Sequence, residues 1–252
     1  MKENFYLRFN LNKCGVSVED SDTALLAKFA GLETSEAKKN LELINLMLKN
    51  SIEKVKETVD SQYLCTGKTI LFLGDSLTSD RLSYMNIIKG ILDAKVVDGA
   101  TSGANTSGFV AGIDYTLDEV NPDMVHILLG TNDIPIVGKD MPRNVTEKDV
   151  YIKNISHIID RIGKNRRVII STIPPLHMGR IDCFLPNKVM KNSVIEEYNI
   201  ALKELASQKD CELNDTWKYF REEDYFFEPD GVHLSPEAHI IFAENLINFF
   251  KG

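Results

Sequence analysis

Three short blocks of the sequence contain the residue types that nucleophilic catalysis requires. Ser76 lies in the block GDSLT, Asn132 in GTND, and Asp230 and His233 in DGVHLS. A serine hydroxyl is a weak nucleophile until a base within hydrogen-bond reach takes its proton, and an imidazole suits that task. We therefore predict that Ser76 is a nucleophile, that His233 is its base, and that the Asp230 carboxylate accepts the other ring N–H.

Acyl transfer also needs hydrogen-bond donors for the oxygen that becomes negative in the tetrahedral intermediate. The predicted donors of this oxyanion hole are the backbone N–H of Ser76, the backbone N–H of Gly103 and the side-chain amide of Asn132. Gly99 and Gly108 are the other glycines of that region, and Gly103 is favoured because it lies beyond the expected end of the second strand. Without the other blocks, Asn132 could be only a turn residue.

Two further residues are candidates for contact with a substrate. Asp75 is adjacent to Ser76, and His177 follows two prolines at the end of a predicted strand. Adjacent side chains at a strand end point in different directions, so we interpret Asp75 as bracing the turn and not as the partner of His233. Asp75 and Ser76 alone could simply cap a helix that begins near Asp80, but the other two blocks favour catalysis.

Two of the three blocks directly follow apolar runs, and the third precedes the last predicted helix. Apolar runs that are continuous and not alternating are typical of strands buried on both faces. Strand and helix patterns alternate from residue 67 onward, which predicts a parallel sheet with helices on both sides and reactive groups at its carboxyl edge. The predicted strands are 69–73, 94–98, 124–129, 167–173 and 211–213, and the predicted helices are 81–92, 147–162, 194–206 and one opened by Ser235-Pro236-Glu237.

In the first 64 residues, the spacing of apolar residues is typical of helices only. Apolar residues from Leu41 to Val59 recur three or four positions apart, which predicts a long amphipathic helix, and a shorter helix is predicted at 23–30, ended by Gly31. We interpret residues 1–64 as a helical N-terminal extension and residues 65–252 as the main domain. The extension is expected to pack on that domain, and a seam between copies in a homo-oligomer or a lid over the site are the alternatives.

With these blocks in this order, the sequence resembles the SGNH (GDSL-type) hydrolases, a family of lipases and acylhydrolases. GDSLT supplies Ser76, GATSG supplies Gly103, GTND supplies Asn132, and DGVHLS supplies Asp230 and His233. The resemblance covers about residues 67 to 250, and residues 1–66 match nothing in the family core. It implies an α/β fold, a flavodoxin-like three-layer α/β/α sandwich with a five-stranded parallel sheet in the order 2-1-3-4-5. It also implies ester hydrolysis through an acyl-enzyme, with no metal and no cofactor.

These observations predict a serine esterase for small carboxylic esters, with short-chain acyl groups and O-acetyl groups, including those on carbohydrate, as candidate substrates. An acyltransferase that uses the same serine and an inactive binder with this fold are alternatives. An acyl-carrier module with Ser76 as its prosthetic-group site is a third, but a carrier would not need the strand before the serine or the two later blocks. A phosphate-binding loop at Gly67-Lys68-Thr69 is excluded, because position 62, where its first glycine should be, is Gln.

Composition restricts the partners. The chain has 29 Lys and Arg against 37 Asp and Glu, with a formal net charge of −8, which opposes binding to nucleic acid or to anionic membrane surfaces. No stretch approaches the ~18 apolar residues of a membrane span. The four cysteines show no paired spacing, which predicts a reducing compartment. We therefore expect a cytoplasmic enzyme whose partner is a small-molecule ester.

Overall fold

The computed structural model describes residues 5–8, 23–59, 65–184, 189–221 and 223–251. Within these ranges, five parallel strands form one sheet in the spatial order β2-β1-β3-β4-β5. This order confirms the predicted 2-1-3-4-5 arrangement. The strands are β1 (Thr69–Gly74), β2 (Lys95–Asp98), β3 (Met124–Leu128), β4 (Arg167–Ser171) and β5 (Glu212–Asn214).

Helices cover both faces of the sheet. Alternate residues of β1 point to opposite faces, so Leu71 and Leu73 lie in one apolar cluster while Ile70 and Phe72 lie in the other. The first cluster is completed by α5 (Thr106–Val120), α6 (Lys148–Ile162) and α8 (Asn192–Gln208). The second is completed by α2 (Thr34–Thr58), α4 (Tyr84–Lys89) and α9 (Pro236–Leu246). The predicted three-layer α/β/α sandwich is therefore confirmed.

The apolar stripe of α2 packs against other helices of the same chain. Val55 is fully buried in the cluster shared with α4 and α9, and Ile44 is fully buried in a third cluster with Leu26 of α1 (Thr23–Ala30). The two helices predicted in this region are therefore present, and α2 begins seven residues earlier than the stripe suggested, at Thr34. A boundary at residue 64 and a contact between two copies remain predictions.

Other elements differ from their predicted bounds or were not predicted. The helix predicted at 81–92 is only Tyr84–Lys89. It begins at Tyr84 because Ser83 caps its first turn by accepting the Asn86 N–H. The helix α5, the short helix α7 (Met178–Phe184) and a two-stranded hairpin of Ile136–Val137 and Arg143–Asn144 had no sequence prediction. None of the helices that the structure describes has the length and apolarity needed to cross a membrane.

Candidate active site

Ser76 lies where β1 passes directly into the short helix α3 (Ser76–Ser79). Asp75 caps this helix, because its Oδ1 accepts the Leu77 N–H at 3.0 Å. The sharp turn depends on Gly74, since a Cβ at that position would lie 2.0 Å from Thr78 Oγ1. The turn leaves the Ser76 side chain partly exposed at the carboxyl edge of the sheet.

Asp230 and His233 lie in the loop that precedes α9, and this loop brings them to Ser76. Nε2 of His233 is 2.9 Å from Oγ of Ser76, and Nδ1 of His233 is 2.5 Å from Oδ2 of Asp230. The other carboxylate oxygen of Asp230 accepts the backbone N–H groups of Val232 at 2.9 Å and His233 at 3.0 Å. The structure therefore brings together the three residues predicted as nucleophile, base and carboxylate.

The Asp230 carboxylate is suited to remain ionised. Its burial alone would raise its pKa, but the hydrogen bond and charge of His233 and the two backbone N–H groups lower the pKa below its usual value. An ionised carboxylate only accepts hydrogen bonds, so the ring proton of a neutral His233 lies on Nδ1. Nε2 then carries the lone pair that can accept the Ser76 hydroxyl proton.

The predicted oxyanion donors belong to segments that are tied to one another. Gly103 has a φ of +76° at the third position of the turn Thr101–Ala104, a conformation that glycine adopts without strain. Nδ2 of Asn132 donates to the Ala104 carbonyl at 3.1 Å, so Asn132 is held against this turn. On its other side the turn contacts α3 through Ser102, whose Oγ is 2.7 Å from that of Ser79.

Within the described part of the chain, each of these donors keeps an N–H group that no protein acceptor engages. Ser76 is the first residue of α3, and an N–H at that position has no partner inside its helix. The Gly103 N–H donates to no backbone carbonyl of the described residues. The amide of Asn132 has a second N–H beside the one on Ala104.

Asp133, the last residue of the block GTND, was not assigned a role from the sequence, although the structure gives it one. Its buried carboxylate accepts the Thr106 hydroxyl at 2.6 Å and the Thr106 backbone N–H at 3.1 and 3.2 Å. Asp133 thus joins the loop of Asn132 to the start of α5. Polar residues in a block after a buried strand were a usable signal, but the partner lies 27 residues away.

The two residues predicted as substrate contacts are engaged with the protein. Asp75 is fully buried behind Ser76, and burial raises its pKa to about 6, opposed by the Leu77 N–H and the charge of His233. His177 donates its backbone N–H to Gly231 O at 2.9 Å, and its Nε2 is 2.7 Å from Oδ1 of Asp224. Their contact with a substrate remains a prediction. No group of three His, Cys, Asp or Glu in the described part of the chain is arranged to hold a metal ion.

A parallel α/β sheet with a serine, a histidine and an aspartate in contact at its carboxyl edge is the arrangement of a serine hydrolase. Residues 72–241, more than half of the chain, match the GDSL-like lipase/acylhydrolase family. The chain therefore belongs to that family, and it is a hydrolase that acts on ester bonds.

Comparison with other proteins supports the fold. A lipase/acylhydrolase from Enterococcus faecalis has a TM-score of 0.61 and 22% sequence identity, covering 73% of this chain and 96% of that one. A GDSL-like lipase from Bacteroides thetaiotaomicron has a TM-score of 0.60 and 16% identity, covering 81% and 97%. The acetylxylan esterase Axe2 from Geobacillus stearothermophilus has a TM-score of 0.58 and 18% identity, covering 76% and 97%. Among curated proteins, none matches this sequence.

Proposed function

We propose that this chain is a serine esterase that hydrolyses small carboxylic esters through an acyl-enzyme. One observation carries the proposal, the continuous line of hydrogen bonds from Asp230 through His233 to Ser76, with lengths of 2.5 and 2.9 Å. This is the contact that an alcohol nucleophile needs with its base, and that the base needs with a group that orients it.

In the first half of the reaction, Ser76 Oγ attacks the ester carbonyl carbon while its proton passes to His233 Nε2. Asp230 stabilises the imidazolium that forms, because its ionised carboxylate accepts the Nδ1–H. The tetrahedral intermediate collapses when the carbon–oxygen bond to the alcohol breaks. His233 returns the proton from Nε2 to the leaving oxygen, and the acyl group stays on Ser76.

In the second half, water replaces the alcohol and the same groups act in reverse order. His233 Nε2 removes a proton from the water, whose oxygen attacks the acyl carbon. The bond to Ser76 Oγ then breaks, and the serine recovers its proton from His233. The carboxylic acid is released and the enzyme is regenerated.

Both tetrahedral intermediates carry a negative oxygen, for which we propose the N–H groups of Ser76, Gly103 and Asn132 as donors. Three features support this assignment: the position of Ser76 at a helix start, the turn at Gly103, and the bond that holds Asn132 on that turn. Donors that are fixed before the reaction stabilise the developing charge without a cost of reorganisation.

For the substrate, we propose short acyl groups, with O-acetyl groups on carbohydrate as the first class to test. Two proteins of similar fold are named as acetyl xylan esterases, which supports this choice by analogy. The test is a panel of p-nitrophenyl esters from acetate to decanoate, run beside acetylated saccharides with Ser76→Ala as the blank. We expect kcat/KM to be highest for acetate and to fall with chain length, and a maximum at long chains would contradict the proposal.

Two further measurements separate the proposal from its alternatives. An acyltransferase would release little free acid in water, and an added acceptor alcohol would take the acyl group to form a new ester as the leaving alcohol is released. An esterase releases acid and alcohol in equal amounts in water. An acyl-carrier module would bear a prosthetic group on Ser76, which the intact mass of the purified protein would show. The imidazole that lies 2.9 Å from Ser76 Oγ supports the esterase, because a carrier serine needs no base.

A further inference from the structure

Arg8 lies outside the family-matched residues 72–241, and its guanidinium is completely buried. It belongs to a short 3-10 turn, Phe5–Arg8. A buried charge is costly unless it is paired and hydrogen-bonded, so its partners indicate why it is there. Among the described residues they include two carboxylates, Asp80 and Glu228, and one backbone carbonyl, that of Leu234.

The contacts of Arg8 divide between the two segments that carry the proposed catalytic residues. Nε donates to Asp80 Oδ1 at 3.2 Å and Nη2 donates to Asp80 Oδ2 at 2.5 Å. Nη1 forms an ion pair with Glu228, and Nη2 also donates to Leu234 O at 3.2 Å. One planar guanidinium thus spans the segment after Ser76 and the loop that contains Asp230 and His233.

Each of these partners is hydrogen-bonded to Ser76 or His233 or directly adjacent to it in sequence. Asp80 ends α3, and its backbone N–H donates to Ser76 O at 3.2 Å. Glu228 donates its backbone N–H to His233 O at 2.8 Å, and Leu234 follows His233 directly. A shift of either carboxylate would therefore move Ser76 or His233.

The turn that carries Arg8 is itself held in place. Arg81 donates its backbone N–H to Arg8 O at 2.7 Å and its Nε to Leu7 O at 2.9 Å. Burial alone would raise the pKa of Asp80, but His239 and Arg8 lower it to about 2, so this carboxylate is ionised near neutral pH. Buried ion pairs add little stability compared with apolar packing, so stability alone is a weak reason for this arrangement.

We propose that Arg8 is a positioning residue of the esterase reaction, which sets the separation of Ser76 from His233 by holding Asp80 and Glu228 together. The inference rests on the proposed function and adds to it a role for the region that precedes the family-matched residues. Arg8 acts on the reaction through Asp80 and Glu228, and none of its described contacts is with a reacting atom.

Two sets of variants test this role. Glu228→Ala removes the ion pair between Arg8 and the loop but leaves the Arg8–Asp80 pair and the bond to Leu234 O, so the fold should be preserved. Arg8→Met releases both segments, while Arg8→Lys keeps the charge without the planar fork that reaches both carboxylates. The control is Glu212→Ala, which removes a similar Arg–Glu pair, with Arg167, at the amino end of β4 and away from the site.

The readouts are kcat, KM and the rate at which a fluorophosphonate labels Ser76, which needs no ester substrate. Misplacement by ~1 Å can cost about 10²-fold, so we expect Glu228→Ala to lose about 10-fold in kcat and in labelling rate, with KM within about twofold. Arg8→Met should lose more and Arg8→Lys should lie between it and the wild type. Glu212→Ala should match the wild type in all three.

A folded Glu228→Ala that reacts and labels like the wild type would overturn the inference, and so would equal losses in Glu228→Ala and Glu212→Ala. Should Arg8→Met fail to fold by circular dichroism, Glu228→Ala decides alone. If the wild type neither hydrolyses esters nor labels at Ser76, the proposed function fails and this inference fails with it. An active wild type with an equally active Glu228→Ala removes only the role of Arg8.

Discussion

His233 Nε2 lies 2.9 Å from Ser76 Oγ, although 157 residues separate the two in the chain. Ser76 follows the carboxyl end of β1, and the loop that contains His233 precedes α9. Helix α9 packs on the face of the sheet to which Ile70 and Phe72 of β1 point, so the loop reaches the carboxyl end of β1. The carboxyl edge of a parallel sheet therefore brings together groups that are distant in sequence.

This contact predicts that Ser76 and His233 act as one unit. Ser76→Ala and His233→Ala should each abolish nearly all ester hydrolysis, and the double variant should be only slightly worse than either single one, because such losses are non-additive. Initial rates and circular dichroism of all three variants give the measurement. Losses that multiply would show that the two residues act independently.

Asn132→Ala should lower kcat by about 10²–10³ with a smaller change in KM, because an oxyanion donor strengthens its bond as charge develops. The control is Asn245→Ala on α9. The Nδ2 of Asn245 likewise donates to a backbone carbonyl, that of Ile241 at 2.8 Å. The control variant should retain normal kcat. A rise in KM alone in Asn132→Ala would indicate that this amide binds the substrate and not the transition state.

Much of the sheet could be predicted because β1, β3 and β4 are buried on both faces and so read as continuous apolar runs. The strand order came from the family resemblance, since periodicity does not specify which strands are neighbours. The Asp230–His233 pair could be predicted because both residues lie in one short loop.

There are also physical reasons why other parts of the structure could not be predicted from the sequence. Helix α5 buries only Thr106, Ile113 and Leu117 and contains Gly108 and Gly112, so its apolar period is weak. The partners of Arg8 lie 72 and 220 residues away in the chain, and no local pattern marks such a contact. Long-range polar contacts of this kind become visible only in the folded structure.

Replacing Asp75 by Asn should change how stability depends on pH. The folded pKa of Asp75 is about 6, above the unfolded value of ~3.9, so the folded state holds this proton more tightly and wild-type stability is lost as pH rises from about 4 to 6. Asn cannot titrate and is an equally good cap. The variant should gain about 3 kcal/mol relative to the wild type between pH 4 and 7, measured by urea unfolding. A gain that does not vary with pH would refute this.

Asp230→Asn should lower kcat by about 10²–10⁴, because an amide facing Nδ1 can leave the ring proton on Nε2, where it blocks transfer from Ser76. The folded pKa of Asp230 is lowered, so the ionised carboxylate stabilises the fold above the unfolded pKa of ~3.9. This contribution is lost as the pH falls below that value. The free energy of unfolding of variant and wild type should therefore differ less at pH 3 than at pH 7. An equal difference at the two pH values would contradict the role of this ionised group.

Gly74→Ala tests whether the turn before Ser76 depends on the missing side chain. The new Cβ would lie 2.0 Å from Thr78 Oγ1 and 2.5 Å from Thr78 Cβ, which no change of rotamer can move, so α3 must shift and carry Ser76 away from His233. We expect a loss of about 1–3 kcal/mol in the free energy of unfolding, which is typical of overpacking, together with a fall in kcat. The matched control is Gly112→Ala in α5, where a Cβ has no atom within 4 Å and should add roughly 0.5–1 kcal/mol of stability without changing kcat. Urea unfolding and initial rates on both variants measure the contrast. If Gly74→Ala were as stable and as active as Gly112→Ala, the close approach of α3 to β1 would not be what positions the nucleophile.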